Sequence, residues 1–240
     1  LLSEVATRVT NDETAATFFG TEKKLAQTFY KLLSIYPRTE EDNNVSVIQN
    51  APILAAHNRF LTPSEAVLPG GFEDPVGRFN TLDISYYDDR SQEFLRDVLG
   101  VQILTLKGYI LNHLSSILEE GITDAEYVAL IEQLTSHIEL LHDDDVRKNL
   151  IGLALVKTLD GNMHQAKDCY FKTPELIEIL GDQPSLWADT CLFDTYQKDS
   201  IKSFLSHLGL RAQPSLDHAL DRIDSNVNLV SANLPKVSIS

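Results

Sequence analysis

A repeated order of local signals constrains this chain more than any single motif does. An apolar run at 53–56 leads into a turn at 57–58 and a second extended segment, and a run at 153–156 leads into Asp160-Gly161 in the same way. Asp-Gly is a preferred pair for a tight hairpin turn. Each hairpin is followed, after a spacer, by a helix that ends at Leu-Gly and then by another helix. This order predicts two related modules with one architecture.

The glycines at the two helix ends give the repeat its firmest alignment. When Gly100 is aligned with Gly209, no gap is needed on either side. The aligned pairs are Tyr87 with Tyr196, Ser91 with Ser200, Leu95 with Phe204, Leu99 with Leu208, Val101 with Leu210 and Leu111 with Leu220. Both glycines are expected in left-handed cap positions. The hairpins align at a different offset, so the modules differ in loop length, and 51–118 is expected to superpose on 153–223.

Capping residues and helical periodicity indicate a helix-dominated α+β fold. Thr123-Asp124-Ala125-Glu126 is a capping box, and the helix that it begins carries apolar residues at spacings of three and four. Thr62-Pro63 is also predicted to begin a short helix. A second helix of the first module is predicted to run from about Ile103 to Gly121.

These signals divide the chain into modules that each contain a small hairpin or sheet and packed helices. The polar segment 38–44 is the best candidate for a boundary because it follows Pro37 and lacks apolar residues. The predicted divisions are an N-terminal helical segment and polar linker at 1–44, a first module at 45–122, connecting helices at 123–150, a second module at 151–225 and a tail at 226–240.

Composition excludes several classes of partner. The 240 residues carry a net charge of −15, and because phosphate binding needs clustered lysine and arginine, nucleic acid is not expected. No apolar run reaches the roughly 18 residues that span a bilayer, so no membrane partner is expected. The two cysteines, Cys169 and Cys191, are too few for a disulfide scaffold and predict reduced residues in a cytosolic or nuclear protein, of which we expect the cytoplasmic location. Met163 is the sole methionine, so we expect a fragment of a longer polypeptide.

Polar clusters that resemble catalytic or metal sites are better explained as helix caps. One of the aspartates that follow His142 is expected to cap the helix of 146–150, and Asp88-Asp89 precedes a helix start at Ser91, where negative charge is stabilising. We therefore expect no catalytic residue, no metal ligand and no cofactor. Trp187 lies in a polar loop, where it either fills the core or anchors a partner. Tyr86 and Tyr87 are the other candidates for partner binding.

Short segments of both modules resemble those of sacsin/NO VEIN-like proteins. FLRDVLGV at 94–101 and FLSHLGL at 204–210 resemble the helix ends of that family, and TLDG at 158–161 and PSE at 63–65 are similar to its hairpin and helix-start pattern. These large proteins have an Hsp90-type ATPase domain and long downstream repeats. The resemblance covers about residues 45–225 and implies a chaperone-like or scaffold segment. It implies no ATPase activity here, because the chain lacks the Asp-x-Gly-x-Gly nucleotide-binding signature.

Three hypotheses follow. The leading one is a non-catalytic scaffold, regulatory or substrate-holding segment of a large chaperone-like multidomain protein, whose partners are other domains of the same polypeptide or separate proteins. The second is an enzyme domain whose residues converge from loops at 69–90 and 181–200. The third is a stand-alone protein–protein interaction adaptor. A concave pocket that holds charged groups with shifted pKa values would favour the enzyme.

Overall fold

The structure is a computed structural model, and its residues form two units. The first unit is Leu1–Tyr109 and the second is Ile110–Ser240. The residues that the structure describes are 23–35, 48–56, 60–193, 198–214 and 220. In both units short strands alternate with longer helices, which confirms the predicted helix-dominated α+β fold with small sheets.

In the first unit, the first element that the structure describes is a helix whose buried residues are Ala26, Phe29, Tyr30 and Leu33. The elements of this unit are α1 (Lys23–Ile35), β1 (Leu54–Ala55), β2 (Phe60–Leu61), β3 (Ala66–Pro69), β4 (Asn80–Thr81), a 3-10 turn at Ile84–Tyr86, α2 (Asp89–Asp97), β5 (Gln102–Leu104) and α3 (Leu106–Asn112), within which the unit ends. Tyr30, Leu54, Leu82 and Leu95 lie in one buried core that α1, the strands and α2 share.

Backbone pairing links the five described strands of the first unit in a single order. β1 and β2 form the expected antiparallel hairpin, with Leu54 opposite Leu61; its turn lies outside the described residues. β3 is parallel to both β4 and β5. An antiparallel bridge between Ala56 and Leu82 joins the hairpin to the end of β4. The resulting order is β2-β1-β4-β3-β5.

The second unit contains the same kinds of element. They are α4 (Leu114–Glu120), α5 (Asp124–Ser136), a 3-10 turn at Ile138–His142, α6 (Asp144–Gly152), β6 (Val156–Lys157), β7 (Met163–His164), 3-10 turns at Ala166–Asp168, Pro184–Leu186 and Thr190–Leu192, α7 (Pro174–Leu180) and α8 (Lys198–His207). β6 and β7 form the hairpin predicted around Gly161, whose φ of 85° is the left-handed conformation that such a turn needs.

Pairing in the second unit follows the order seen in the first. Thr158 bridges Ala188 in the antiparallel sense, and Tyr170 bridges both Trp187 and Arg211 in the parallel sense. Three backbone hydrogen bonds of the first unit also have counterparts in the second, and the first pair is Leu82 N–H to Val67 O at 2.9 Å and Ala188 N–H to Tyr170 O at 3.0 Å. The bond from Asp83 N–H to Ala55 O at 3.3 Å corresponds to that from Asp189 N–H to Lys157 O at 2.8 Å. The bond from Ile53 N–H to Ala51 O at 2.9 Å corresponds to that from Leu155 N–H to Leu153 O at 3.0 Å. The described residues of the two units therefore share one order of strand pairing.

Both helix ends that aligned in sequence are left-handed at glycine. Gly100 has φ 72° and Gly209 has φ 106°, as predicted. At Gly209, the N–H of Leu210 bonds to Leu205 O at 3.0 Å and that of Gly209 to Ser206 O at 3.0 Å, which is a Schellman end. At Gly100 the last turn is wider, because Val101 N–H reaches Leu95 O.

Some predicted helices are strands or turns. Residues 63–65 form a turn that the bond from the N–H of Thr62 to the side chain of Glu65 at 3.0 Å closes. A strand, β3, follows where a helix was expected, because Ala66–Pro69 pair with β4 and β5. Ile103 lies in β5, and the helical stretch after it is divided at His113 into α3 and α4. The capping box at Thr123 is confirmed.

Candidate binding cavity

The first unit contains an open cavity of about 660 Å³ between its sheet and the loop 70–79. Pockets of roughly 300–1,000 Å³ are the usual size for bound small molecules or side chains. The lining residues are Ala56, Pro69, Gly71, Phe72, Glu73, Asp74, Gly77, Phe79, Asn80 and Thr81. The floor comes from the ends of β1, β3 and β4, and the wall comes from the loop.

Hydrogen bonds and aromatic packing hold the loop in place. The carboxylate of Asp74 accepts hydrogen bonds from the N–H groups of Val76 at 3.0 Å and Phe79 at 2.9 Å. The rings of Phe72 and Phe79 lie 5.0 and 5.9 Å from the ring of Tyr109 on α3. Because the loop is tied at both ends, the cavity is a built feature of this unit rather than a gap beneath a free segment.

The equivalent place in the second unit is filled. Bridge and hydrogen-bond equivalences place Trp187 where the first unit has Thr81, and Tyr170 where it has Val67. Trp187 has 0% exposure and lies in an apolar cluster with Tyr170, Leu176 and Leu180. The two leucines come from α7, which occupies the chain position of the loop 70–79. One unit therefore covers this face of its sheet with a helix and a tryptophan, and the other leaves it open.

A second, more polar cleft of about 500 Å³ lies beside α1 in the first unit. Its lining residues are Lys24, Gln27, Thr28, Lys31 and 85–88. The ammonium of Lys23 lies 5.0 Å from the centre of the Tyr86 ring and donates to the Ser85 hydroxyl at 2.6 Å. Gln27 donates to the Ser85 carbonyl at 2.9 Å. These bonds fix the 3-10 turn against α1.

The three partner-binding candidates occupy different environments. Trp187 is fully buried, so it fills the core and offers no surface to a partner. Tyr87 is also buried, its hydroxyl donates to Ala55 O at 3.3 Å, and burial raises its pKa well above the usual range. Tyr86 is half-buried and lines the polar cleft. Partner binding by Tyr86 stays a prediction, and the structure brings none of the three into the larger cavity.

Carboxylates that resembled catalytic groups act as caps. Asp88 accepts hydrogen bonds from the N–H of Ser91 at 2.8 Å and from its hydroxyl at 2.5 Å, and these bonds lower the pKa of Asp88. Asp143 caps α6 through the N–H groups of Asp145 and Val146. Both capping interpretations are confirmed.

Cys169 is buried, and this burial raises its pKa to about 12, so the group is a neutral thiol at physiological pH. Cys191 is exposed, and neither cysteine is paired in a disulfide.

Sequence reasoning missed the cavity because no residue in it belongs to a motif. The available signal was the change of offset between the hairpin alignment and the Gly100–Gly209 alignment. That change requires the chain between the two to differ in length, and the structure places part of the difference at 70–79 against α7. Where two units share their strand pairing but differ in one loop, that loop is expected to carry a function that the other unit lacks.

Within the described ranges, no group of three or more histidine, cysteine, aspartate and glutamate side chains is placed to hold a metal ion. No helix in that part of the chain is long and apolar enough to cross a membrane. Compared with protein-family models, curated proteins and solved structures, this chain matches none.

Proposed function

We propose that this chain is a non-catalytic, substrate-holding or scaffold segment of a large, cytoplasmic, chaperone-like protein of the sacsin-like kind. Its first unit binds a protein partner through the cavity beside Thr81. The observation that carries this proposal is a contrast between the units. In the second unit Trp187 and α7 fill the space above the sheet, and at the equivalent place the first unit has an open cavity.

The cavity has the mixed character of a binding site. Phe72, Phe79, Pro69 and Ala56 supply apolar surface, and the exposed carboxylate of Glu73 lies at the rim. Open concave surface of this kind in a folded unit marks a place where a ligand or partner binds. The shared hydrogen-bond frame supports the same view, because the second unit forms that frame with Trp187 fully buried at the position equivalent to Thr81.

The enzyme hypothesis receives less support. The carboxylates and tyrosines with displaced pKa values have structural causes, such as capping by Asp88 and burial of Tyr30 and Tyr127. The two loops expected to converge, 69–90 and 181–200, belong to different units. Asp74, which lines the cavity, uses its carboxylate to hold the loop.

Suppression of aggregation tests the substrate-holding function. A model enzyme is heated with the full chain, and light scattering is followed at increasing molar ratios. We expect the chain to reduce scattering and Thr81→Trp to lose most of that effect, because the added indole fills the cavity. Ser203→Trp adds the same side chain at an exposed position of α8 and should behave as wild type.

Glu73→Lys reverses the charge of an exposed rim residue without burying anything, so it separates loss of binding from misfolding. We expect it to change which model enzymes are protected, according to their net charge. Absence of suppression by the wild-type chain, or equal suppression by Thr81→Trp with circular dichroism unchanged, would contradict the proposal.

A further inference from the structure

We infer that the cavity of the first unit accepts leucine and aromatic side chains from one face of an amphipathic helix in a protein partner. This inference rests on the proposed binding function and names the chemistry of the partner. The second unit provides the evidence, because there two leucines of the helix α7 and the aromatic ring of Trp187 lie together at the equivalent place.

The first step is the equivalence of the two sheets around this place. Val67 pairs in parallel with Thr81 on one side and Gln102 on the other, and Tyr170 pairs in parallel with Trp187 and Arg211. The chain between Val67 and Thr81 therefore corresponds to the chain between Tyr170 and Trp187. The loop 70–79 lies in the first interval and α7 in the second.

The second step is how α7 covers its sheet. Thr173 caps the helix by accepting from the N–H of Leu176, and Pro174 occupies its first turn. Leu176 and Leu180 are one turn apart, both are buried, and both belong to the cluster that contains Trp187. Glu175 and Ile179 lie on the exposed face. Two leucines at this spacing are the usual anchors of a helix that binds in a groove.

The third step is what the first unit lacks. Thr81 has a small side chain where Trp187 has a large one, and among the residues that the structure describes the interval 70–79 forms a loop and not a helix. An occupant that completes the packing must bring both an aromatic ring and aliphatic side chains. The cavity of about 660 Å³ has room for them. Glu73 at the rim favours a partner with lysine or arginine beside its apolar face.

Two probes test this chemistry directly. The first is indole, which mimics the Trp187 side chain. The second is a peptide with the sequence of residues 172–182, KTPELIEILGD, with Ile179 replaced by lysine and joined through a lactam to Glu175. The lactam lies on the exposed face and holds the helix, because a free peptide of this length is mostly unfolded in water. Binding is followed by amide chemical shifts of the isotope-labelled full chain.

Both probes should bind saturably and shift the amides of Gly71, Phe72, Asn80 and Thr81. Thr81→Trp should abolish the shifts caused by indole, because the new ring takes the place of the indole, and Ser203→Trp should leave the shifts caused by both probes unchanged. A peptide in which alanine replaces both Leu176 and Leu180 should bind at least about tenfold more weakly, since each 1.4 kcal/mol is tenfold in affinity. A peptide with Glu178→Lys should bind more tightly than the parent, and Glu73→Lys should cancel that gain.

Shifts confined to the polar cleft beside Tyr86, or equal binding by the alanine peptide, would overturn the inference. So would indole binding that persists in Thr81→Trp. If the chain suppresses aggregation but neither probe binds the cavity, the inference fails and the holding function stands. If both probes bind but no aggregation is suppressed, the holding function fails and the chemistry of the cavity stands.

Discussion

The hydroxyl of Tyr30 on α1 accepts a hydrogen bond from the backbone N–H of Ala55 at 3.0 Å, and it donates to the carbonyl of Ile53 at 2.7 Å. In the second unit, the hydroxyl of Tyr127 on α5 accepts from the N–H of Lys157 at 3.2 Å. Each unit thus ties a helix to the first strand of its hairpin through one tyrosine. Burial raises the pKa of both hydroxyls, that of Tyr127 to about 12.

Tyr30→Phe is expected to destabilise the first unit by about 1–3 kcal/mol, because it leaves the buried N–H of Ala55 without its acceptor. Hydrogen exchange at the Ala55 amide should accelerate by the factor that corresponds to this loss. Tyr86→Phe removes the same atom from a half-buried ring and should have a smaller effect. Unchanged exchange at Ala55 would show that this bond does not hold the hairpin to α1.

The glycines at the ends of α2 and α8 are required by backbone conformation rather than by space. No atom lies within 4 Å of a Cβ added at Gly100, and the closest atom at Gly209 is 3.7 Å away. Gly100→Ala and Gly209→Ala should each cost about 1–2 kcal/mol of folding free energy, the usual penalty for a left-handed residue with a side chain.

Gly152→Ala is the matched control, because Gly152 is helical, has open space around it and lacks a positive φ. Alanine there should be neutral or stabilising by up to about 1 kcal/mol. Denaturant unfolding of the three variants measures the difference. Equal effects at all three glycines would contradict the conformational explanation.

The caps, the two hairpins and the left-handed glycines were predictable because short-range rules determine them. Thr123 and Glu126 bond to each other across one turn, and Gly161 follows Asp160 in a tight turn. β3, β4 and β5 were not predictable in the same way, because each is two to four residues long and exists through parallel pairing with distant chain. The equivalence of α1 and α5 was missed because it depends on one tyrosine in each helix.

Asp160 makes the second hairpin sensitive to acid. The Thr158 hydroxyl donates to its carboxylate at 2.5 Å, and the N–H and side-chain amide of Asn162 each donate at 3.0 Å. These bonds lower the pKa of Asp160 to about 2. The folded-state pKa lies below the unfolded value of roughly 3.9, so the stabilisation is complete above that value and is lost as pH falls through about 2.

Carboxyl carbon shifts of the labelled chain should therefore report an Asp160 midpoint near 2. Asp160→Asn should remove part of the loss of stability between about pH 4 and pH 2. A midpoint close to that of an exposed aspartate would mean that the hydroxyl of Thr158 does not bind the carboxylate in solution.

Leu176→Ala should open in the second unit a space like the one in the first. We expect a loss of about 2–5 kcal/mol, as for other buried leucines. Trp187 is the one tryptophan of the chain, so its fluorescence reports this place without interference. Its emission should shift to longer wavelength as water reaches the ring. Ile179→Ala on the exposed face of α7 should change neither the emission nor, beyond about 0.5 kcal/mol, the stability.

The change of offset points to a divergent segment, but the shape of the cavity could not be predicted from the sequence, for a physical reason. That shape depends on the small side chain of Thr81 and on the path of the loop 70–79. Neither feature leaves a periodicity, a cap or a charge pattern in the sequence. Trp187, which was a candidate for partner binding, is instead a core residue. Comparison with Trp187 shows that the first unit has a small residue, Thr81, at the equivalent position.

Because the second unit is filled by Trp187 and α7 at the place where the first unit has a cavity, we expect the two units to differ in their free energy of local unfolding. The second unit has the apolar contacts of Trp187 and α7, which have no counterpart among the described residues of the first unit. We predict that, on heating, the contacts around the open cavity are lost before those around Trp187. If a ligand binds the cavity as proposed, it stabilises the first unit by mass action and so changes the order in which the two units unfold.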